Sequence, residues 1–270
     1  MPFSNETDEE IKERTMEIIK ISDEDKYLIE QLKKNIKNGV RKSRIKSVVY
    51  YKNRGHWGDN KFRGNTTGKL LIDLFNYYLP TKVYDPMEGS GTVRDVCIEA
   101  EIDYIGNDLI SGGYDLLYLP ELRLLKNLKV ELIDFIFFHP PYWDIIKYYD
   151  LYNTNKDDCL SGCETYKEYL ESLRLCIDIL WQILRKGGHL VIQLGDKRKD
   201  NRYYPITFDI YQRLSNLFII PNQLYLEQII IKVQEYYKNG TEGVGIEGYN
   251  MFGTPIIPIN HEYILILRKI

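Results

Sequence analysis

Two short segments of the chain combine residue types that could do chemistry at one site. Residues 85–92 read DPMEGSGT, and residues 139–143 read HPPYW. The glycines of the first segment let a backbone turn tightly and come close to a ligand, which suits a cradle for a nucleotide-like cofactor. The second segment offers a proton acceptor, two stiff prolines and an aromatic platform, a combination that suits a planar amine.

Each segment directly follows a predicted strand. Strands are predicted at residues 82–84, 104–107, 132–138, 189–194, 224–233 and 262–268, and helices at residues 69–78, 92–100, 166–185 and 205–214. Strands that alternate with helices indicate an α/β fold with a mostly parallel sheet covered on both faces. No helix separates the last two strands, so they are predicted to pair antiparallel. Ligands of such sheets bind beyond the carboxyl ends of the strands, where both segments lie.

The other parts of the chain read as an appendage and as connections. Residues 6–38 have an imperfect apolar stripe that predicts a polar helix, and residues 39–68 read as loop because glycine and aromatic residues interrupt the pattern. Gly187 and Gly188 are expected to cap the end of the helix at 166–185. The chain is therefore divided into a helical N-terminal arm, residues 1–48, and one α/β domain, residues 49–270.

Composition narrows the class of protein. A chain of 270 residues with 44% hydrophobic residues can bury a sizeable core. The net charge of -3 does not exclude a nucleic-acid-binding protein, which needs only a local basic footprint. Two such footprints exist, at residues 33–46 and at residues 197–199. Each of them also fits a solvated surface without a partner.

The N-terminus and the cysteines bear on location and on metal binding. The first residues are acidic and lack the apolar segment of a signal peptide, and no apolar run reaches membrane-spanning length. The four cysteines form no dense disulfide pattern, which favours a reducing cytoplasm. Cys159 and Cys163 could begin a metal site, but no second Cys or His pair completes it. We therefore expect a cytoplasmic protein with no metal and no membrane partner.

Three classes of ligand loop compete for the glycine segment. A dinucleotide enzyme would have a third glycine where Arg94 stands, and a P-loop would have Gly-Lys followed by Ser or Thr. S-adenosylmethionine (SAM) fits best. The free N–H groups at the start of the next helix suit its carboxylate, and Asp108 could accept hydrogen bonds from its ribose hydroxyls. A glycine turn that only joins a strand to a helix remains the alternative.

In this order and spacing, the two segments resemble the cofactor loop and the catalytic loop of the amino-directed DNA methyltransferases. That family transfers a methyl group from SAM to N6 of adenine or N4 of cytosine. The resemblance covers roughly residues 50–270; its first two motifs are specific and the later ones are loose. It implies a Rossmann-like class I SAM methyltransferase fold, with a mostly parallel seven-stranded sheet and a C-terminal antiparallel hairpin.

The resemblance also assigns cofactor-binding residues. Asp85 looks like the acid that holds the methionine amino group or orders the loop, Asp108 like the ribose acid, and Asp115 like the acid that contacts the adenine amino group. Phe62 belongs to a stretch that resembles the motif packing on the cofactor. The whole set is Phe62, Asp85, Pro86, Gly89, Ser90, Gly91, Thr92, Asp108 and Asp115. Residues 87–88 depart from the family, which more often has an aromatic and a small residue there.

The second segment would act on an exocyclic amino group, a poor nucleophile because its lone pair is delocalised into the ring. The family accepts hydrogen bonds from that group with an Asp, Asn or Ser side chain and the next proline's carbonyl, which localises the lone pair. Here the first position is His139, whose neutral ring can also accept through one nitrogen. Pro140 and Pro141 fix the backbone, and Tyr142 can stack on a flipped base. These four residues are the predicted catalytic set; alternatively, His139 only caps the strand.

The implied substrate is duplex DNA with a flipped base, with adenine N6 slightly favoured over cytosine N4. The predicted nucleic-acid-binding residues are Trp143, Lys197, Arg198 and Lys199. The candidate segments for substrate recognition are the N-terminal arm, residues 147–164 and the glycine-rich stretch 234–260. A restriction endonuclease is a candidate partner. Two alternatives remain, an RNA amino-methyltransferase and a non-catalytic relative that binds SAM or nucleic acid. A cytosine-C5 enzyme is excluded, because in that family the nucleophilic cysteine follows a proline and none of the four cysteines here does.

Overall fold

The computed structural model describes residues 21–43, 45–109, 133–216, 224–234, 257 and 259–270. The α-helices in these ranges are α1 (Asp23–Asn38), α2 (Gly68–Tyr78), α3 (Thr92–Glu99), α4 (Tyr148–Tyr152), α5 (Tyr166–Ile183) and α6 (Ile206–Asn216). The strands are β1 (Val48–Tyr50), β2 (Lys82–Asp85), β3 (Asp103–Gly106), β4 (Ile133–Phe138), β5 (Leu184–Leu194), β6 (Lys197–Lys199), β7 (Arg202–Tyr204), β8 (Leu224–Val233) and β9 (His261–Lys269). None of the described helices combines the length and the apolar character that crossing a membrane requires.

Seven of the described strands form one sheet in the order β1-β8-β9-β5-β4-β2-β3. Neighbours in this sheet are parallel except at β9, which runs antiparallel between β5 and β8. Strands β6 and β7 form a separate antiparallel hairpin. The predicted α/β, Rossmann-like fold is thereby confirmed, with its mostly parallel seven-stranded sheet and its C-terminal antiparallel hairpin.

The central strand β4 is buried on both faces, as its nearly all-apolar sequence predicts. On one face, Ile136 and Phe138 share a core cluster with Leu173 of α5. On the other face, Phe135 packs edge-on against Phe75 of α2, with ring centroids 5.4 Å apart. Helices on both sides therefore hold β4 in place, and the loop that follows it starts from a fixed point.

Residues 85–92 and residues 139–143 follow two neighbouring strands of the sheet. Strands β2 and β4 are parallel neighbours, with Val83 opposite Phe135 and Tyr84 opposite Ile136. Strand β3 extends the sheet on the far side of β2, so the chain order reverses between β2 and β4. Open α/β sheets bind ligands at such a switch point, beyond the carboxyl ends of the strands.

Two predictions about element boundaries are wrong. The stretch 39–68, predicted as loop, contains β1, which pairs with β8 and so depends on a partner far along the chain. The helix predicted at 166–185 ends at Ile183, and Gly187 and Gly188 lie inside β5 rather than at a helix cap. Gly187 has a φ of 76°, in a part of β5 where the register with β4 shifts. Gly187 therefore allows the backbone conformation that this irregularity of the strand requires.

The predicted N-terminal helix is described from Asp23 onward, and residues 6–20 of that prediction lie outside the described residues. Leu32 of α1 is fully buried. Asn35 of α1 donates to the amide oxygen of Asn76 in α2 at 2.8 Å. Helix α1 thus packs on α2, and the division of the chain near residue 48 stays a prediction.

Candidate active site

A cleft of about 940 Å³, measured out to the solvent at its mouth, opens at the carboxyl edge of the sheet. The predicted site residues that line it are Phe62, Asp85, Pro86, Gly89, Ser90, Thr92, Asp108, His139 and Pro141. The structure therefore brings the predicted cofactor loop and the start of the predicted catalytic loop to one cavity.

The glycine loop turns tightly before α3. Gly89 and Gly91 have φ values of 50° and 79°, in the left-handed region that favours glycine. The N–H of Gly91 donates to the carbonyl of Glu88 at 2.8 Å, which closes the turn. Gly91 precedes α3 directly, and among the described residues no side chain caps this helix. The first N–H groups of α3 are thus left to bind an anionic group such as a carboxylate.

Three carboxylates gather around this loop. Asp108 accepts a hydrogen bond from the N–H of Gly89 at 2.7 Å, and Glu88 pairs with Arg94 at 3.2 Å. Asp85 is only 2% exposed, and burial, with Glu88 and Asp108 nearby, raises its pKa well above the ordinary value for an aspartate. A cluster of this kind favours a positively charged ligand, because such a ligand relieves the repulsion among the acids.

The hydroxyl groups of Ser90 and Thr92 in the glycine loop lie against each other and against the segment that precedes α2. The Oγ of Ser90 lies 3.4 Å from the Oγ1 of Thr92. Thr92 is buried and donates to the side-chain oxygen of Asn65, which also lines the cleft. Gly58 lies behind this pair, and a Cβ there would be 2.2 Å from the Thr92 hydroxyl. The close approach of the segment around Gly58 therefore fixes the start of α3.

An aromatic wall covers the glycine loop. A Cβ on Gly89 would lie 2.9 Å from the ring of Phe62, so the ring sits directly on the backbone there. Phe62 stacks on Tyr152, with ring centroids 5.3 Å apart. Tyr148 donates to a backbone carbonyl next to Phe62 at 3.2 Å. Helix α4, part of the candidate substrate segment 147–164, thus helps to close the cleft.

Helix α5 supports the predicted catalytic loop through a hydrogen bond. Tyr169 of α5 is fully buried and donates to the carbonyl of Pro141 at 2.7 Å. The Nε2 of His139 lies 2.8 Å from the hydroxyl of Tyr142. Pro140 is buried behind the cleft, whereas His139 and Pro141 reach its surface. Stacking of Tyr142 on a base stays a prediction; the structure shows its hydroxyl bonded within the protein.

His139 is uncharged at physiological pH. Burial lowers the pKa of its ring to about 4, and the positive charges of Lys232 and Arg54 act in the same direction, while Glu262 opposes them. A neutral imidazole has one N–H donor and one nitrogen lone pair. It therefore has the lone pair that the predicted role as hydrogen-bond acceptor requires.

Behind Tyr142 lies a buried polar network centred on Glu262. Tyr142 donates to this carboxylate at 2.8 Å, Lys232 at 2.7 Å and Gln193 at 2.9 Å. Although burial would raise the pKa of Glu262, Lys232 and the hydrogen bonds hold it at about 2. Because β9 is antiparallel to β5 and β8, its first residues lie at the carboxyl edge of the sheet, where Glu262 faces Lys232 directly.

The predicted nucleic-acid-binding residues come together but pack on one another. Trp143 is 4% exposed, and the ammonium groups of Lys197 and Lys199 lie 4.8 and 4.5 Å from its ring centroid. Both lysines also pair with Asp144. Arg198 lies over a tyrosine of β7 instead. The hairpin β6–β7 thus packs on the predicted catalytic loop. Contact of Trp143 with nucleic acid stays a prediction, and it requires this hairpin to move.

Some predicted residues lie elsewhere, and some important ones were not predicted. Asp115 lies outside the described residues, as does most of the candidate substrate loop 234–260. Glu262 and Lys232 were assigned no role from the sequence. The signal that could have found them is a single charged residue within an otherwise apolar strand, in IIIKV and in HEYILIL.

Acid should destabilise the folded protein through His139. Because its folded-state pKa of about 4 lies below the ordinary 6.5, the unfolded chain takes up the proton first as the pH falls. Stability should therefore decrease from about pH 6.5 towards about pH 4, and this part of the decrease should be smaller in His139→Asn. Urea unfolding midpoints across this range measure the effect. Equal slopes in the two proteins would contradict a buried neutral histidine.

No protein-family model matches the chain, and no curated protein matches it either. Solved structures do match. A proposed DNA modification methylase from Thermus thermophilus, complexed with SAM, is 22% identical, with a TM-score of 0.35 over 55% of this chain and 52% of that protein. The chain thus spans about half the length of this relative.

Two further matches cover more of the chain. A SAM-dependent methyltransferase from Archaeoglobus fulgidus is 15% identical, with a TM-score of 0.37 over 77% of this chain and 96% of that protein. A proposed rRNA methylase from Clostridium thermocellum is 11% identical, with a TM-score of 0.33 over 70% of this chain and 89% of that protein. The likeness concerns the fold: the chain is similar in fold to SAM-dependent methyltransferases.

Proposed function

We propose that this protein is a SAM-dependent methyltransferase that acts on an exocyclic amino nitrogen of a base in DNA. The observation that carries the proposal is that residues of the predicted cofactor loop and of the predicted catalytic loop line one cleft. Its acids and glycine loop come from the ends of β2 and β3, and its neutral acceptor, His139, comes from the end of β4. The sequence resemblance assigns the same two loops to the cofactor and to the target base.

The residues of the cleft fit SAM. The acids around the glycine loop favour the positive charges of its amino and sulfonium groups, and the uncapped start of α3 suits its carboxylate. Asp85 would hold the methionine amino group and Asp108 the ribose hydroxyls. Phe62 would pack on the cofactor where its ring covers Gly89. When bound, SAM supplies an electrophilic methyl group, and its sulfur keeps the electron pair of the broken S–C bond.

His139 would act on the target amino group. Its neutral ring accepts a hydrogen bond from the NH2 group, which localises the lone pair on the nitrogen. That nitrogen forms the new N–C bond and gives up one proton to solvent. Pro140 and Pro141 keep this part of the loop rigid. The chain contributes positioning and electrostatics rather than a covalent intermediate.

Duplex DNA with a flipped base is the proposed substrate, with adenine N6 slightly ahead of cytosine N4. The support is the sequence resemblance, together with the cationic hairpin beside the catalytic loop, where Lys199 and Arg198 lie. Flipping is needed because an amino group inside a duplex cannot reach a cleft at the edge of a sheet.

The experiment that tests this proposal is transfer of tritiated methyl groups from SAM to duplex DNA and, in parallel, to an equal mass of RNA. We expect label in the DNA, with the His139→Ala variant as the blank. Label in RNA alone would replace the proposal by an RNA amino-methyltransferase. SAM binding without label in either polymer would support a non-catalytic relative.

A further inference from the structure

A chain of hydrogen bonds runs from Glu262 through Tyr142 to His139. The hydroxyl of Tyr142 lies 2.8 Å from a carboxylate oxygen of Glu262 and 2.8 Å from the Nε2 of His139. The ring of Tyr142 packs against Gly195, where a Cβ would lie 2.5 Å from a ring carbon. A larger residue at position 195 would push the ring away, so the glycine permits the bridge.

The direction of these bonds is set by Glu262. Lys232 and Gln193 donate to this carboxylate, and an ionised carboxylate can only accept. The hydroxyl of Tyr142 must therefore donate its one proton to Glu262. Its oxygen can then only accept from His139, which requires that the proton of the neutral ring sits on Nε2.

The orientation of Gln193 agrees with this direction. Thr66 donates to the side-chain oxygen of Gln193 at 2.8 Å, which leaves the amide NH2 to donate to Glu262. Thr66, Gln193 and Glu262 are all less than 5% exposed. Every hydrogen bond from Thr66 to Glu262 and from Tyr142 to Glu262 therefore has a donor and an acceptor that agree with an ionised Glu262.

We propose that Glu262 and Tyr142 are positioning residues that hold His139 in the Nε2–H tautomer, so that Nδ1 is the acceptor for the amino group of the substrate. The role of Nδ1 rests on the proposed function, whereas the tautomer itself follows from the hydrogen bonds. In the described part of the chain, the ring makes its hydrogen bond through Nε2, and Nδ1 has no partner.

The hydrogen-bonded chain Glu262–Tyr142–His139, called the relay below, determines which nitrogen of the histidine carries the proton. Either ring nitrogen of a neutral imidazole can carry the proton, so a histidine without a partner would present a donor part of the time. An aspartate or asparagine oxygen has no such problem. Lys232 balances the charge of Glu262, so the relay ends on a stable carboxylate rather than on one that would take a proton.

The direct test is the tautomer of His139, read from long-range nitrogen–proton NMR spectra of the ¹⁵N-labelled protein. The His139→Asn variant identifies the signal among the four histidines. We expect a protonated Nε2 and an unprotonated Nδ1 near neutral pH. In Tyr142→Phe, the two nitrogen shifts should move towards each other as the tautomers mix. A protonated Nδ1 in the native protein, or an unchanged pattern in the variant, would overturn the proposal.

A kinetic readout separates this role from a structural one. Tyr142→Phe should lower kcat about tenfold and leave the dissociation constant of SAM unchanged. Tyr51→Phe is the matched control, because the Tyr51 hydroxyl also donates to a carboxylate, that of Asp73, outside the cleft. Equal losses in the two variants would mean that a missing tyrosine–carboxylate bond only weakens the fold.

The NMR experiment needs no substrate, so the two proposals can fail separately. The expected tautomer in a protein that methylates nothing would reject the proposed function and keep the relay. Methyl transfer to DNA with the opposite tautomer would reject the relay and keep the proposed function.

Discussion

Replacement of His139 by alanine is expected to lower methyl transfer to DNA by about 10²–10³-fold, a loss typical of removing one positioned hydrogen bond to the reacting group. The alanine cannot accept from the amino group, so the lone pair of the target nitrogen stays delocalised. SAM binding should not change, because the acids and the glycine loop come from β2 and β3. Single-turnover rates and calorimetric titration with SAM measure the two quantities.

His139→Asn is the matched control. An asparagine oxygen accepts a hydrogen bond, as in the family that the sequence resembles, so this variant should keep more activity than His139→Ala. Unchanged turnover in His139→Ala would reject the acceptor role. Loss of SAM binding in that variant would show instead that the ring supports the cleft.

The second large effect is expected on stability. Replacement of Lys232 by methionine should lower the free energy of unfolding by about 3–5 kcal/mol, the usual cost of removing one partner of a buried ion pair. Lys232 and Glu262 are 8% and 4% exposed and lie 2.7 Å apart, so little water can replace the missing charge. Urea unfolding measures the change.

Two controls belong with this variant. Lys156→Met breaks an exposed pair with Glu164 and should lower the free energy of unfolding much less than Lys232→Met does, because water screens the exposed charges. Adding Glu262→Gln to Lys232→Met removes the unpaired charge and should restore part of the lost stability. If the double variant is no more stable than Lys232→Met, the loss of stability does not come from the unpaired charge of Glu262.

The sequence predicts the fold well where the signal is local. The apolar run that forms β4 and the helical spacing of Leu70, Leu74 and Phe75 in α2 both reflect burial on a fixed period. The glycine loop is also predictable, because its residues and those of α3 are contiguous in the chain. The common location of this loop and His139 follows from the rule for carboxyl ends of parallel strands.

What the sequence does not predict depends on distant partners. Strand β1 has only three residues, and its pairing with β8 gives it its structure. Glu262 and Lys232 come together only once the antiparallel register of β8 and β9 is known. The packing of Trp143 between Lys197 and Lys199 likewise depends on a hairpin that the sequence pattern does not reveal. In each case the local sequence is compatible with a surface loop or an ordinary strand.

The identity of the methylated atom tests the proposed function most directly. Duplex DNA treated with the protein and tritiated SAM can be digested to nucleosides and separated, so that the label is assigned to one product. We predict label in N6-methyladenine or, failing that, in N4-methylcytosine, and about 10²–10³-fold less label after the same time with His139→Ala. Label in C5-methylcytosine, or equal labelling by His139→Ala, would contradict the proposed function.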